Sequence, residues 1–149
     1  MNLVRAFFSE GVVDLDPCSD RVAQTRVQAK KYFGPLEDGL QQGWHGRVFV
    51  NPAFGVQSGH SQQGAYFLKA VHEYQAGNAS EVLLLLKVAV GYDWFSPLLQ
   101  WPHAWLHNRV SFIAGSLSEG NCAAAANPYG SIVVYLGPTF TGSVWYLQG

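Results

Sequence analysis

The chain has 149 residues, 48% of them apolar and only 13% charged. That length suits one domain with a sizeable core and is short for two, and the low charge excludes a disordered chain or a coiled coil. Nine Lys and Arg against ten Asp and Glu leave a formal charge of −1, which argues against a generic polyanion binder.

Residues 2–9 read as a short helix ending at Gly11. Residues 12–15 are a small apolar strand that runs straight into Asp16-Pro17-Cys18-Ser19-Asp20, where proline stops the strand and Asp and Ser favour turns and caps. Residues 21–31 have weak helical character; Gly34-Pro35 and Glu37-Asp38-Gly39 are turn signals. Residues 47–50 form a compact strand halted at Asn51-Pro52, and residues 55–59 read as permissive loop. Ser61 caps a helix carrying Tyr66, Phe67, Ala70, Val71 and Tyr74 on one face, closed by Gly77. Residues 81–89 are apolar around Lys87 without alternation, which suits a central strand covered on both faces. That run is also too short to span a membrane.

Residues 93–100 then read as a short helix with Pro97 in its first turn. Residues 103–107, 110–113, 131–136 and 143–147 are strand candidates, with small-residue loop over 116–130. No repeat or linker divides residues 1–149, so one compact domain is expected. The order of elements predicts an α/β sheet with a parallel centre, antiparallel edge strands and helices on both faces. In such a sheet ligands bind outside the carboxyl ends of the strands, which singles out Asp14-Leu15-Asp16-Pro17-Cys18 and Asn51-Pro52-Ala53-Phe54.

The second of these segments carries recognisable chemistry. An exocyclic amine on an aromatic base is a poor nucleophile because its lone pair is delocalised into the ring. Acceptors for its two N–H bonds, here the Asn51 side-chain oxygen and the Pro52 carbonyl, favour the pyramidal form that attacks, and Phe54 stacks on the base. A tetrapeptide alone is weak evidence, since Asn-Pro after a strand is an ordinary turn. The context is more specific. Val13-Asp14-Leu15-Asp16-Pro17-Cys18-Ser19-Asp20, Ala29-Lys30-Lys31-Tyr32-Phe33, Asp38-Gly39-Leu40, Trp44 and Gly46-Arg47-Val48-Phe49-Val50-Asn51-Pro52 follow in this order. With the looser later segments at Trp94-Phe95, Asn108-Arg109-Val110-Ser111-Phe112 and Tyr129-Gly130-Ser131, this resembles the phage-type Dam family of DNA adenine-N6 methyltransferases.

The resemblance implies a compact Rossmann-like methyltransferase sheet, S-adenosylmethionine as methyl donor and a flipped-out adenine in DNA as acceptor. It implies a phage- or prophage-encoded protein acting in the bacterial cytoplasm. Asn51, Pro52 and Phe54 are then the catalytic residues. Asp16, Pro17 and Cys18 lie against the donor, with Asp38 and Leu40 near its adenosyl part. Of Asp14 and Asp16, the latter is nearer the loop. Ala53 stands where the family has a second proline, and residues 2–11 supply no Trp-x-Thr-Pro segment. Arg21, Arg26, Lys30, Lys31 and Arg47, five of the nine cations, are the expected phosphate contacts. Of the five histidines, His103 and His107 have i, i+4 spacing, but Pro102 and the aromatic run argue against a helix there and no Cys or carboxylate partner is suitably spaced, so no metal is expected; Cys18 and Cys122 are expected as free thiols. Asn127-Pro128-Tyr129 precedes a strand and is expected at the wrong edge of the sheet. Three other readings remain: an inactive donor- or DNA-binding relic, transfer to cytosine-N4 or a protein glutamine, and an interaction module whose aromatics form a homo-oligomer interface.

Overall fold

A computed structural model describes residues 3–106, 130–138 and 144–147, the last as backbone only. The strand candidate at 110–113, the loop at 116–130 up to Tyr129, Asn127-Pro128-Tyr129, His107 and Cys122 lie outside the described residues. In chain order the elements are α1 (Leu3–Phe7), β1 (Leu15–Asp16), α2 (Gln24–Val27), β2 (Lys31–Tyr32), β3 (Gly46–Val50), β4 (Val56–Gln57), β5 (His60–Ser61), α3 (Gln62–Gln75), β6 (Ala79–Lys87), β7 (His103–Leu106), β8 (Ser131–Leu136) and β9 (Val144–Leu147). Short 3-10 turns cover Ser9–Gly11 and Ser96–Gln100, the latter with Pro97 in its opening positions.

The main sheet has the order β2-β1-β3-β6-β8-β7-β9. Strands β2, β1, β3 and β6 run parallel, whereas β8 is antiparallel to both β6 and β7. Their side chains alternate, so each strand feeds two cores. Val48, Val50, Val82, Leu84, Leu86, Ile132, Val134 and Leu136 face Tyr66, Phe67 and Ala70 of α3. Phe49, Leu83 and Tyr135 face the other way, against Phe8 beside α1 and Val27 of α2. This double cover explains why residues 82–86 carry no polar alternation.

Helix α3 starts where Ser61 leaves extended conformation and its side chain accepts the Gly64 N–H. The strand expected over 12–15 is shorter and later than its apolar residues suggested, pairing only through Leu15 and Asp16. Weak helical character over 21–31 resolves into α2, then an exposed strand, β2. Residues 55–59 are not plain loop: β4 and β5 make a small antiparallel hairpin. Its connecting residues, Ser58 and Gly59, both have positive φ, the backbone that a two-residue turn between twisted strands requires.

Candidate active site

The carboxyl end of β1 is a polar loop sunk into the protein. Asp16 is 2% exposed. Its Oδ2 accepts from Gln24 Nε2 at 2.9 Å, and its Oδ1 accepts the Cys18 N–H at 3.4 Å. The same Gln24 amide donates to Ser19 Oγ at 2.8 Å and accepts the Ala29 N–H, so one residue of α2 clamps the loop from both sides. Burial pushes the Asp16 carboxyl up to about 6, against the opposing pull of hydrogen bonds from Ser19, Cys18 and Gln24. Asp20 caps the start of the next turn, accepting from Val22 and Ala23.

Three segments far apart in sequence meet here. The Asn51 backbone, at the end of β3, lies beside the Cys18 thiol, which is pushed up first by burial and then by the Asp16 charge. Gly39 packs so tightly on Pro17 that a Cβ would sit 1.8 Å from the Pro17 carbonyl oxygen. That is why the Asp38-Gly39-Leu40 turn requires glycine: the constraint is space. Trp44 Nε1 donates to the Gly39 carbonyl at 2.9 Å, and the Trp44 ring stacks on Tyr66 of α3 at 6.2 Å. Burial raises the Tyr66 phenol, with the charges of Cys18, Asp38 and Asp16 adding to it. Asp38 is exposed at φ 47°, with its Oδ1 accepting the Leu40 N–H.

Beyond Asn51 the loop turns outward. Pro52 is buried, and Ala53 and Phe54 are exposed. The half-buried Asn51 side chain makes no hydrogen bond to another described residue. The Pro52 carbonyl accepts from Gln63 Nε2 at 2.7 Å, using one of its two lone pairs. Lys87 Nζ, at the end of β6, lies 5.9 Å from the centre of the Phe54 ring. The site thus offers an amide oxygen, a carbonyl with a remaining lone pair and an exposed ring, beside a carboxylate-bearing loop.

The five expected phosphate contacts are not gathered at this edge. Arg47 Nε and Lys30 Nζ pair with Asp14 at 2.9 and 3.0 Å, and Arg47 also reaches Glu10. Asp14 bonds the Arg47 backbone N–H as well, which places the cluster at the amino end of β3, opposite Asn51. Lys31 sits over the Phe33 ring at 5.1 Å, while Arg21 and Arg26 are exposed. Asp16 and Pro17 are buried under the loop, so of the expected donor residues Cys18, Asp38 and Leu40 are the ones with accessible surface. Sequence reasoning did not single out Gln24, Gln63 or Lys87. Polar residues at a helix start or strand end carry no pattern that marks them.

A sheet with this parallel centre, helices on both faces and polar loops at the carboxyl ends of β1 and β3 has a Rossmann-like methyltransferase fold. The family model for DNA N-6-adenine-methyltransferase (Dam) matches residues 3–145, and the chain belongs to that family. No curated protein and no solved structure matches it. No described helix is long and apolar enough to cross a membrane.

Proposed function

We propose that this chain transfers a methyl group from S-adenosylmethionine to N6 of an adenine in DNA, with the base flipped into the space beside Asn51, Pro52 and Phe54. The observation that supports the reading best is that the loops after β1 and β3 lie side by side, with β1 paired to β3 and the Asn51 backbone beside the Cys18 thiol, because this brings the acceptor loop to the donor loop. The residues present suit the donor. It is a cation with ribose hydroxyls and a purine, and no described cation pairs with Asp16, Asp20 or Asp38. Asp38 and Leu40 would take the adenosyl part, and Cys18 would line the sulfur end. Bound there, the donor supplies an electrophilic methyl.

The chain's own contribution is placement. Asn51 Oδ1 and the free lone pair of the Pro52 carbonyl accept the two N6 hydrogens. That concentrates the amine lone pair toward the methyl, and the proton released after transfer leaves through the same acceptors to water. Phe54 offers the stacking face for the base, and Lys87 beside it supplies a positive charge. A phage or prophage origin and action in the bacterial cytoplasm accord with a DNA substrate.

The test is incubation with isotopically labelled donor and unmethylated DNA, followed by mass spectrometry of the nucleosides. Labelled N6-methyladenosine is the expected product. Label on cytosine-N4 or on a protein glutamine would move the acceptor, and donor binding with no transfer would assign an inactive relic.

A further inference from the structure

Gln63, the second residue of α3, is fully buried at the start of the helix that packs on the apolar face of the sheet. A buried carboxamide is costly unless all its strong bonds are made, and a leucine or methionine of similar size would pack there without that cost. Its two ends go to the loop after β3 and to the last residue of β6. Nε2 donates to the Pro52 carbonyl at 2.7 Å, and Oε1 accepts the Lys87 N–H at 2.8 Å.

The ladder explains why a side chain is needed. β3 and β6 pair in parallel from Gly46↔Ala79 to Val50↔Leu84 and then part, because the chain turns away at Asn51-Pro52. β6 continues to Lys87, still paired to β8 on its other side through Lys87↔Ser131. The Val88 N–H goes to Gly130, so the neighbouring Lys87 N–H points to the side that β3 has vacated. Proline has no N–H to offer in return. The Gln63 carboxamide fills that gap as a peptide unit would, with one acceptor toward β6 and one donor toward the Pro52 carbonyl.

We propose that Gln63 is a positioning residue for methyl transfer, acting as a surrogate peptide unit that fixes the Pro52 carbonyl and aims its second lone pair at the amine of the acceptor base. This rests on the methyl-transfer reading above. One bond on Pro52 sets the carbonyl's direction, and the other, on Lys87, fixes that direction relative to the end of β6 and the Lys87–Phe54 contact.

Q63E and Q63M separate this role from simple packing. A glutamate carboxylate still accepts from Lys87 but presents an oxygen to the Pro52 carbonyl, whereas the protonated acid restores the donor. Above about pH 8, Q63E is expected to lose about ten- to hundredfold in kcat with the donor KM unchanged. As pH falls toward about 6, its kcat relative to wild type rises, because burial raises the glutamate pKa. Q63M conserves volume and loses both bonds, so its kcat is low at every pH with no recovery. Circular dichroism and thermal melting establish that each variant is folded. A folded Q63E or Q63M with wild-type kcat at high pH overturns the proposal, as does a Q63E deficit that ignores pH. Unfolding of both variants would make Gln63 purely structural and overturn it too. Wild-type protein inactive on every DNA would instead remove the methyl-transfer reading, and the role of Gln63 with it; an active wild type isolates the outcome to Gln63.

Discussion

Substituting Gly39 by alanine should damage donor binding from a distance of one loop. The added Cβ would lie 1.8 Å from the Pro17 carbonyl oxygen and 2.8 Å from its carbon, whereas real contacts essentially never fall below 3.0 Å. Both partners are backbone, so no rotamer change relieves the clash and the two loops must separate by more than an ångström. Overpacking of this kind costs about 1–3 kcal/mol, which for a chain of this size lowers Tm by about 3–10 °C. Pro17 sits between Asp16 and the Cys18 that lies beside the Asn51 backbone, so the displacement reaches both motif loops. Misplacement on that scale is worth about a hundredfold in kcat/KM for the donor. Gly43→Ala is the matched control, since nothing lies within 4 Å of a Cβ there. The entropy that alanine removes from the unfolded chain is common to both variants and cancels in the comparison. Thermal denaturation and labelled methyl transfer measure the two effects. A Gly39→Ala protein with wild-type Tm and kcat/KM, or a Gly43→Ala protein equally impaired, would refute the packing argument.

Three further outcomes follow from particular contacts. Asn51→Ala should lower transfer about 10²- to 10³-fold with little change in Tm, because its side chain bonds no other described residue and the Cys18 contact uses the backbone; activity within tenfold of wild type would remove its role. Asp16 binds its proton more tightly when folded, with its pKa raised from 3.8 to about 6, so its contribution to stability is best at low pH and is lost as pH rises through that window. Relative to Asp16→Asn, wild type should therefore lose up to about 3 kcal/mol between about pH 4 and pH 7, read from urea denaturation, and a flat difference would contradict the burial argument. Arg47→Met breaks the pair with Asp14, whose carboxyl is drawn upward by burial but held well below its usual range by Arg47 and Lys30. It should cost about 1.5–3 kcal/mol at neutral pH, a deficit that shrinks as acid protonates Asp14, and leave DNA affinity unchanged; a reduced salt dependence of DNA binding would restore the phosphate-contact role.

The sequence was most readable where burial is two-sided or a cap is local. The unbroken apolar runs of β6 and β8, and Ser61 before the striped α3, needed no long-range information. β2 was invisible because its two exposed residues pair only through Leu15 and Asp16, so its existence is decided by β1. The β4–β5 hairpin left a trace that went unused: Ser58-Gly59 between short extended segments is a two-residue turn signal. At the site, the order of motifs placed Asp16, Asp38 and Asn51 near one another, but not how they touch. That Gly39 abuts Pro17 and Asn51 lies beside Cys18 depends on loop packing that no periodicity encodes. The spatial separation of the grouped cations is hidden for the same reason. Lys30 and Arg47 belong to different segments, which the parallel crossovers bring to either side of Asp14.

That pairing separates charge across the sheet in a way that favours the proposed chemistry. At the amino edge, two cations are neutralised by Asp14, and Glu10 further neutralises Arg47. At the carboxyl edge of β1, the carboxylates of Asp16, Asp20 and Asp38 take neutral donors instead: the Gln24 amide and backbone N–H groups of Cys18, Val22, Ala23 and Leu40. Neutral hydrogen bonds satisfy the oxygens without cancelling the charge, so the loop keeps a negative potential in a half-dry setting where it is weakly screened. A cationic donor gains from that potential, whereas a phosphate backbone is repelled by it. Among the described residues, Lys87 holds its positive charge 5.9 Å from the centre of the Phe54 ring, at the end of β6 on the far side of β3 from β1. The two substrates of a methyl transfer to DNA have opposite charge, and the two sides of the Asn51 loop differ in the same sense.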